Sequence, residues 1–420
     1  MKKKRNNKHE KRVKKLIVGC GLSAILLSVS TYAWFIGMQT VNVASFDISI
    51  ATTDSLLLSL DGEEWSDNIV ITGDTYDTAS YENNTNSWGG KGLIPMSSVG
   101  KIDDDASRLI LFEKGSFTAT PGGYRLLASQ VENGLDEDGN LNAEKDGYVA
   151  FDLFIKNTSG EEYYEEYDPL NEEAIYLTTD SAATVASTGV ANTGIENSVR
   201  VAFAQIGRVV STTTNVSTIT GISCDGGSGV TTICSERDAQ IWEPNDTAHV
   251  ENAINWYDTS CKTRSGSDLT LPASYGSTSC GTVENGESYP TYAVSGVIGV
   301  NDRVDVYDGE EFNGYKGSIA TTATAGKLVA YDYFTDSEKL LQGVLRPEFI
   351  TLAPNSITKV RVYVYIEGQD IDNYDFASLG KKISVGFGFT KERFYGEDIN
   401  YDDSNTATLP SQLVRTTQAD

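Results

Sequence analysis

The sequence predicts an all-β protein: an antiparallel β-sandwich of jelly-roll type with long loops, placed behind an N-terminal signal or transmembrane helix. Three observations lead there. Apolar residues recur at every second position in several runs. No long stretch of the body has the 3.6-residue apolar period of a helix, and Thr, Ser, Gly, Asn and Asp fill the intervals. Period-2 runs bounded by turn-forming residues are strands. Their alternation of apolar and polar residues describes sheets with one face on a core and the other on water. Two such sheets stacked through their apolar faces make a sandwich.

The strands follow in order. Val41, Val43, Phe46, Ile48 and Ile50 mark an extended segment with a phase slip near Ala44-Ser45, the mark of a bulge. Val149, Phe151, Leu153 and Ile155 alternate with Ala150, Asp152, Phe154 and Lys156. Val199, Val201 and Phe203 alternate with Arg200 and Ala202. Val360, Val362, Val364 and Ile366 alternate with Lys359, Arg361, Tyr363 and Tyr365. Ile383, Val385, Phe387 and Phe389 alternate with Ser384, Gly386, Gly388 and Thr390. Residues 34–395 are read as one sandwich, with 209–290 as elaborated loops upon it and 396–420 as a polar tail.

The chain has 420 residues, with 33 Lys+Arg against 59 Asp+Glu. Residues 1–15 hold nine of the bases and one acid, which leaves 24 basic and 58 acidic groups on the other 405. A body of that charge repels phosphate backbones, so nucleic acid is not an expected partner. Leu16–Met38 is then free of charge over 23 residues. A basic head before an apolar run keeps the head cytoplasmic and sends the remainder outward, to the cell surface or beyond. Residues 1–33 therefore read as a signal peptide cut by a signal peptidase between Ala33 and Trp34, or as a retained anchor. Contact with the membrane is expected only through residues 16–38. The C-terminus lacks a sortase signal.

Cysteine usage agrees with export. Cys224, Cys234, Cys261 and Cys280 fall in one window, and four cysteines allow three pairings. The local pairs Cys224–Cys234 and Cys261–Cys280 are expected, each stabilising by about 3 kcal/mol on the chain-entropy model. A four-thiolate zinc site is disfavoured because no two of these cysteines are closely spaced. Glu367, Asp370 and Asp372 cluster carboxylates after a strong strand and form a candidate calcium site, weighed against a plain strand-end turn. Asp136–Asn142 resembles half a calcium loop, but has Leu141 where Gly is needed. No other cofactor is implied. The acidic run Glu161–Asp168 reads as solubilising charge. Trp65, Trp88, Trp242 and Trp256 are candidates for stacking on sugars, against the commoner reading as core anchors.

Nothing points to catalysis. Only His249 lies outside the basic head. The nucleophile-elbow, phosphate-loop and zinc-protease motifs are missing. With so many acids, no particular carboxylate pair singles out a glycosidase site.

The junction Thr31–Phe35 (TYAWF) followed by Phe46–Ile50 (FDISI) resembles exported Firmicutes proteins of the TasA/camelysin type, which are processed by the SipW class of signal peptidase. Ser55–Trp65, Ile241–Asn245 and Val362–Asp372 with Ile383–Thr390 are similar to segments of the same group. The resemblance covers both ends of the chain well and the middle poorly. It implies a jelly roll that assembles into extracellular biofilm fibres, with an N-terminal strand completing the neighbouring subunit's sheet. Here Val41, Val43, Phe46, Ile48 and Ile50 would be that donor face, against the alternative that they pair within their own sheet. The expected function is a secreted or surface-attached matrix protein that associates with itself or the envelope. The alternative is an adhesin or glycan-binding module using the 209–290 loops; a secreted hydrolase ranks last.

Overall fold

The computed structural model describes residues 43–52, 55–90, 92–120, 123–131, 142–160, 162–168, 170–186, 189–255, 284–286, 292–294, 328–330, 335–336, 348–373 and 381–391. The strands in chain order are β1 (Val43–Thr52), β2 (Leu56–Ser59), β3 (Asn68–Ile71), β4 (Ser87–Trp88), β5 (Pro95–Ser97), β6 (Ile102–Asp103) and β7 (Arg108–Leu109). They continue as β8 (Phe112–Thr120), β9 (Gly123–Gln130), β10 (Val149–Asn157), β11 (Glu173–Leu177), β12 (Ala182–Val185), β13 (Val199–Val210) and β14 (Thr231–Thr232). The remainder are β15 (Gln240–Glu243), β16 (Tyr292–Val294), β17 (Leu328–Ala330), β18 (Thr335–Asp336), β19 (Ile350–Leu352), β20 (Ser356–Glu367) and β21 (Lys381–Thr390).

Two large sheets form. The first has six strands in the order β19-β11-β21-β1-β3, with β12 also on β21. The second has eleven, built around β13, β20 and β10. The alternating runs explain the pairing. Ile48, Ile50, Ile383, Val385, Phe387 and Phe389 from the first sheet meet Val149, Phe151, Leu153, Val201, Phe203, Val360, Val362 and Val364 from the second in one buried core. The Phe203 ring is the hub of this layer. Its centroid lies 4.8 Å from that of Phe349, 5.1 Å from Phe387 and 5.9 Å from Phe389, each edge-on. Edge-to-face rings add to what burial alone supplies.

Two expectations need correction. The sheets are mixed, not purely antiparallel: β1 runs parallel to β21, β5 to β20 and β18 to β15. A parallel pair needs a long connection, and β1 and β21 are joined by most of the chain. The second correction concerns the polar face, expected to meet water. All twelve residues of β20 are buried, and so are the first eleven of β13. A second apolar cluster covers this outer face: Ile94, Met96, Leu109, Tyr148, Phe154, Ile219, Ile222, Ile241, Tyr363 and Tyr365 belong to it. The segments that supply it include the short helix Val216–Thr220 and β15, both within the 209–290 window. Among the described residues, that window is packed on the sheet as a lining. No described helix is long and apolar enough to cross a membrane; residues 16–38 lie outside the described residues.

Phe203→Ala removes the hub of the ring cluster and should destabilise the body by about 3–5 kcal/mol. Urea unfolding followed by tyrosine and tryptophan fluorescence gives the value; a loss under about 1 kcal/mol would show that the cluster collapses without it.

Candidate functional site

The N-terminal strand is the first element to place. β1 pairs with β21 at eight positions, from Val43 opposite Lys381 to Thr52 opposite Phe389. The register shifts between Val43 and Phe46, where the sequence slips phase. On its other edge Ile48, Ser49, Ile50 and Ala51 pair antiparallel with Ile71, Val70, Ile69 and Asn68 of β3. Ile48 and Ile50 are wholly buried in the core of their own chain. Ile48 and Ile50, the described side chains of the face expected on a neighbouring subunit, are thus seated in their own chain, in phase with Ile383, Val385 and Phe387 of β21. The backbone of Val43 and Phe46 joins the same ladder. Ala33, Trp34 and Val41 lie outside the described residues. β3 has an exposed outer side, with Val70 57% accessible.

The second sheet carries three buried arginines, each answered by acids that the fold brings to it: Arg361 and Arg200 on the covered face, and Arg208, which lies past the bulge in β13 opposite Thr358, on the side that faces the first sheet. Arg361 on β20 stands directly opposite Asp152 on β10. Its Nη1 donates to both Asp152 oxygens at 3.1 and 3.3 Å, and its Nε to Glu144 Oε1 at 3.0 Å. Tyr81 donates to Asp152 Oδ2 at 2.7 Å, while Tyr148 and Tyr363 donate to Glu144 at 2.7 and 2.9 Å. Burial alone would raise the Asp152 pKa, but Arg361, Lys359 and the Tyr81 hydroxyl outweigh it and hold the carboxyl below its ordinary value.

Arg208 on β13 pairs with the fully enclosed Glu172 carboxylate. Its guanidinium lies over the Tyr164 and Tyr167 rings at 5.3 and 5.9 Å, and donates to the Glu166 carbonyl at 3.0 Å. The described part of the Glu161–Asp168 run, expected to serve only as solubilising charge, caps this arginine with its tyrosines and backbone.

Arg200, also on β13, lies beside the calcium candidates. Its Nη2 reaches Asp370 Oδ2 at 2.6 Å and also bonds Glu243. Burial opposes the charge of Arg200, but Glu243 and Asp370 outweigh it and raise its pKa. Asp372 Oδ2 lies 2.8 Å from His249 Nδ1, and its Oδ1 accepts from the Val250 N–H at 3.0 Å. Glu367 Oε1 accepts from the Gln369 N–H at 3.0 Å. Burial pushes the Glu367 carboxyl up to about 8, so it keeps its proton at neutral pH. Glu367, Asp370 and Asp372 do gather at the end of β20. They serve Arg200, His249 and the turn backbone, and do not converge on one point. Among the described residues only Asp104, Cys224 and Cys234 bring three ligand atoms within 4.8 Å of one another. Those two sulfurs are bonded to each other: Cys224 and Cys234 form the expected disulfide, with Cα atoms 5.7 Å apart. Cys261, Cys280 and Trp256 lie outside the described residues, as does all of Asp136–Asn142 except Asn142.

The sequence reading gave Arg200, Glu243 and His249 no part in a site. Its available signal was an arginine set inside an otherwise apolar strand, which demands a buried acid. The described tryptophans pack as anchors. Trp242 is fully buried. Trp88 stacks between Tyr76 at 4.8 Å and Phe151 at 5.7 Å. Trp65 packs on the outer cluster with Lys156 Nζ 5.4 Å from its ring centroid. No protein-family model, no curated protein and no solved structure matches this chain.

Two predictions follow from the charges. Arg361→Met leaves Asp152 with Lys359 and Glu144 with Arg108 at 3.5 Å as their cations, and should cost about 3 kcal/mol in urea unfolding at neutral pH. The second concerns Glu367 and Glu113, both buried, which flank Met96 across β20, β5 and β8. Burial raises Glu367 to about 8 and Glu113 to about 7, from an ordinary 4.5. The unfolded chain releases these protons near 4.5, while the folded chain holds them longer. The stability they supply is therefore whole below about 4.5 and drains away as pH climbs through 7 and 8. Glu113→Gln with Glu367→Gln should flatten this decline, with the largest gain over the parent at pH 9 and the smallest at pH 5. Equal slopes of unfolding free energy against pH in parent and variant would contradict it.

Proposed function

We propose that the protein is an exported structural protein of the extracellular matrix or cell surface, of the TasA/camelysin kind, which associates with its own copies by exchanging β1. The observation that carries this is the seat of β1. It is the first described strand and lies between β21 and β3. Only residues 53–55 separate it from β2. A strand held at one end of a chain by a registered ladder can leave its slot and enter the same slot of a second copy. The contacts made are the ones it left, so exchange costs little. Exchange in a head-to-tail sense does not close and grows a filament.

Other features support the reading. The basic head and apolar run have the make-up of a signal or anchor ahead of β1. The Cys224–Cys234 bond fits an oxidising, extracellular destination. The strongly acidic body disfavours indiscriminate clumping and leaves registered strand pairing as the specific route. The buried ionisable groups hold one another in place, which suits a scaffold. No catalytic function and no cofactor form part of the proposal.

Ser49 and Val70 are cross-strand partners on the exposed side of β1 and β3. A Ser49→Cys, Val70→Cys variant oxidised as a monomer fastens β1 at home and should form no filaments by electron microscopy; reduction should restore them. Oxidised after assembly, it should give a ladder of linked chains on a non-reducing gel, absent from the parent treated alike. Filaments from the fastened monomer, or only intrachain bonds in assembled material, would end the exchange reading.

A further inference from the structure

At one edge of the sandwich a lysine, an asparagine and a glutamate meet in an arrangement that an ion pair alone does not require. Asn157 is the last residue of β10 and is fully buried. Glu173 opens β11, and Lys391 directly follows β21. Lys391 Nζ lies 2.8 Å from Asn157 Oδ1 and 2.9 Å from Glu173 Oε2. The same Glu173 oxygen accepts a hydrogen bond from Asn157 Nδ2 at 2.6 Å. One carboxylate oxygen therefore touches both an amine and the amide nitrogen of the group beside it. The amide is fixed at its other atoms too. Nδ2 donates to the Ala353 carbonyl at 3.0 Å. Oδ1 accepts from the Ser159 N–H at 3.2 Å and the Ser159 hydroxyl at 3.1 Å. Lys391 Nζ also bonds Ser159 Oγ and lies 3.2 Å from Ser55 Oγ.

We propose that Lys391 and Asn157 become joined by a side-chain isopeptide bond, formed within the folded chain with Glu173 as the catalytic proton carrier. The parts of an acyl transfer are all present. Lys391 Nζ is the nucleophile and the Asn157 carboxamide the acyl group. The two Ser159 donors face the oxygen on which negative charge develops, and Glu173 bridges nucleophile and leaving group. The fold holds the reactants together, which replaces a bimolecular encounter with an intramolecular one.

The step balances without a co-reactant. The Lys391 ammonium gives a proton to Glu173, and the freed lone pair attacks Asn157 Cγ. Oδ1 takes the charge against Ser159. Glu173 passes its proton to Nδ2 and takes a second from Nζ as the intermediate collapses. The Cγ–Nδ2 bond breaks and the Cγ–Nζ bond remains. Nitrogen leaves as ammonium, carrying both protons lost by the lysine, and Glu173 ends as it began. Nothing is oxidised or reduced. The product ties the end of β10 in the second sheet to the end of β21 in the first, joining residues 234 positions apart. It does not depend on the exchange of β1.

Mass spectrometry of the purified full chain decides it. The parent should be lighter than its sequence, corrected for disulfides, by one ammonia. A proteolytic digest should contain a branched peptide whose fragments place the branch between residues 157 and 391, and trypsin should not cut after Lys391. Lys391→Arg, Asn157→Ala and Glu173→Gln should each restore the full mass; Glu173→Gln should keep the parent's circular dichroism, which separates loss of the bond from loss of the fold. A folded parent of full mass would overturn the proposal. So would loss of ammonia with Lys391 still cleavable, since a succinimide at Asn157 loses the same mass and makes no branch.

Discussion

The cross-strand pair Asp152–Arg361 lies where the structure has least freedom. β20 is bonded along both edges and covered on both faces, so any charge it carries must be answered from inside. Asp152 answers from the adjacent strand, Glu144 and Tyr81 from the segments laid over the sheet. A guanidinium suits this place because its fork of donors can serve two carboxylates and the Thr85 carbonyl at once. Removing one partner from such a set leaves the other stranded in a medium that cannot solvate it. The covering segments are thus tied to the sheet by more than apolar contact. Register and cover specify each other.

The same logic repeats at Arg208 and Arg200, so β13 and β20 together carry enclosed cations on both faces of the sheet. This arrangement explains how so acidic a chain is organised. Several carboxylates are spent inward on arginines, and the rest stay outside, where they keep copies apart except along surfaces whose backbone pairing is registered. Association through a strand ladder is compatible with a repulsive exterior. Association through broad apolar patches would not be, and few large apolar side chains are exposed among the described residues: Val70, Leu170 and Val190.

How much of this could be read in advance differs from element to element. Val149–Ile155, Val360–Ile366 and Ile383–Phe389 alternate so regularly that their strands and core-facing sides were legible, as was the bulge beside Ala44. The Cys224–Cys234 bond was legible because its partners are near in sequence. What was not legible is the fate of the other face. Asp152, Arg200 and Arg361 occupy the positions where a half-wet sheet places its polar residues, and a buried ion pair looks the same as two solvated ions until the register between β10 and β20 is known. The partners of Glu367, Asp370 and Asp372 were hidden for a related reason. The density of these acids suggested a metal, while their partners lie on other segments: Asp370 meets Arg200 of β13, 170 positions away, and Asp372 meets His249.

The parallel alignment of β1 and β21 has a mechanical consequence. The start of β1 and the end of β21 lie at opposite ends of their shared seam, so a pull applied at those two points slides the strands along each other. Every backbone bond of the seam is then loaded at once, whereas a hairpin pulled open from one end gives way rung by rung. Under a pull at those points, a rupture rate set by shearing a whole ladder governs endurance more directly than the equilibrium free energy does.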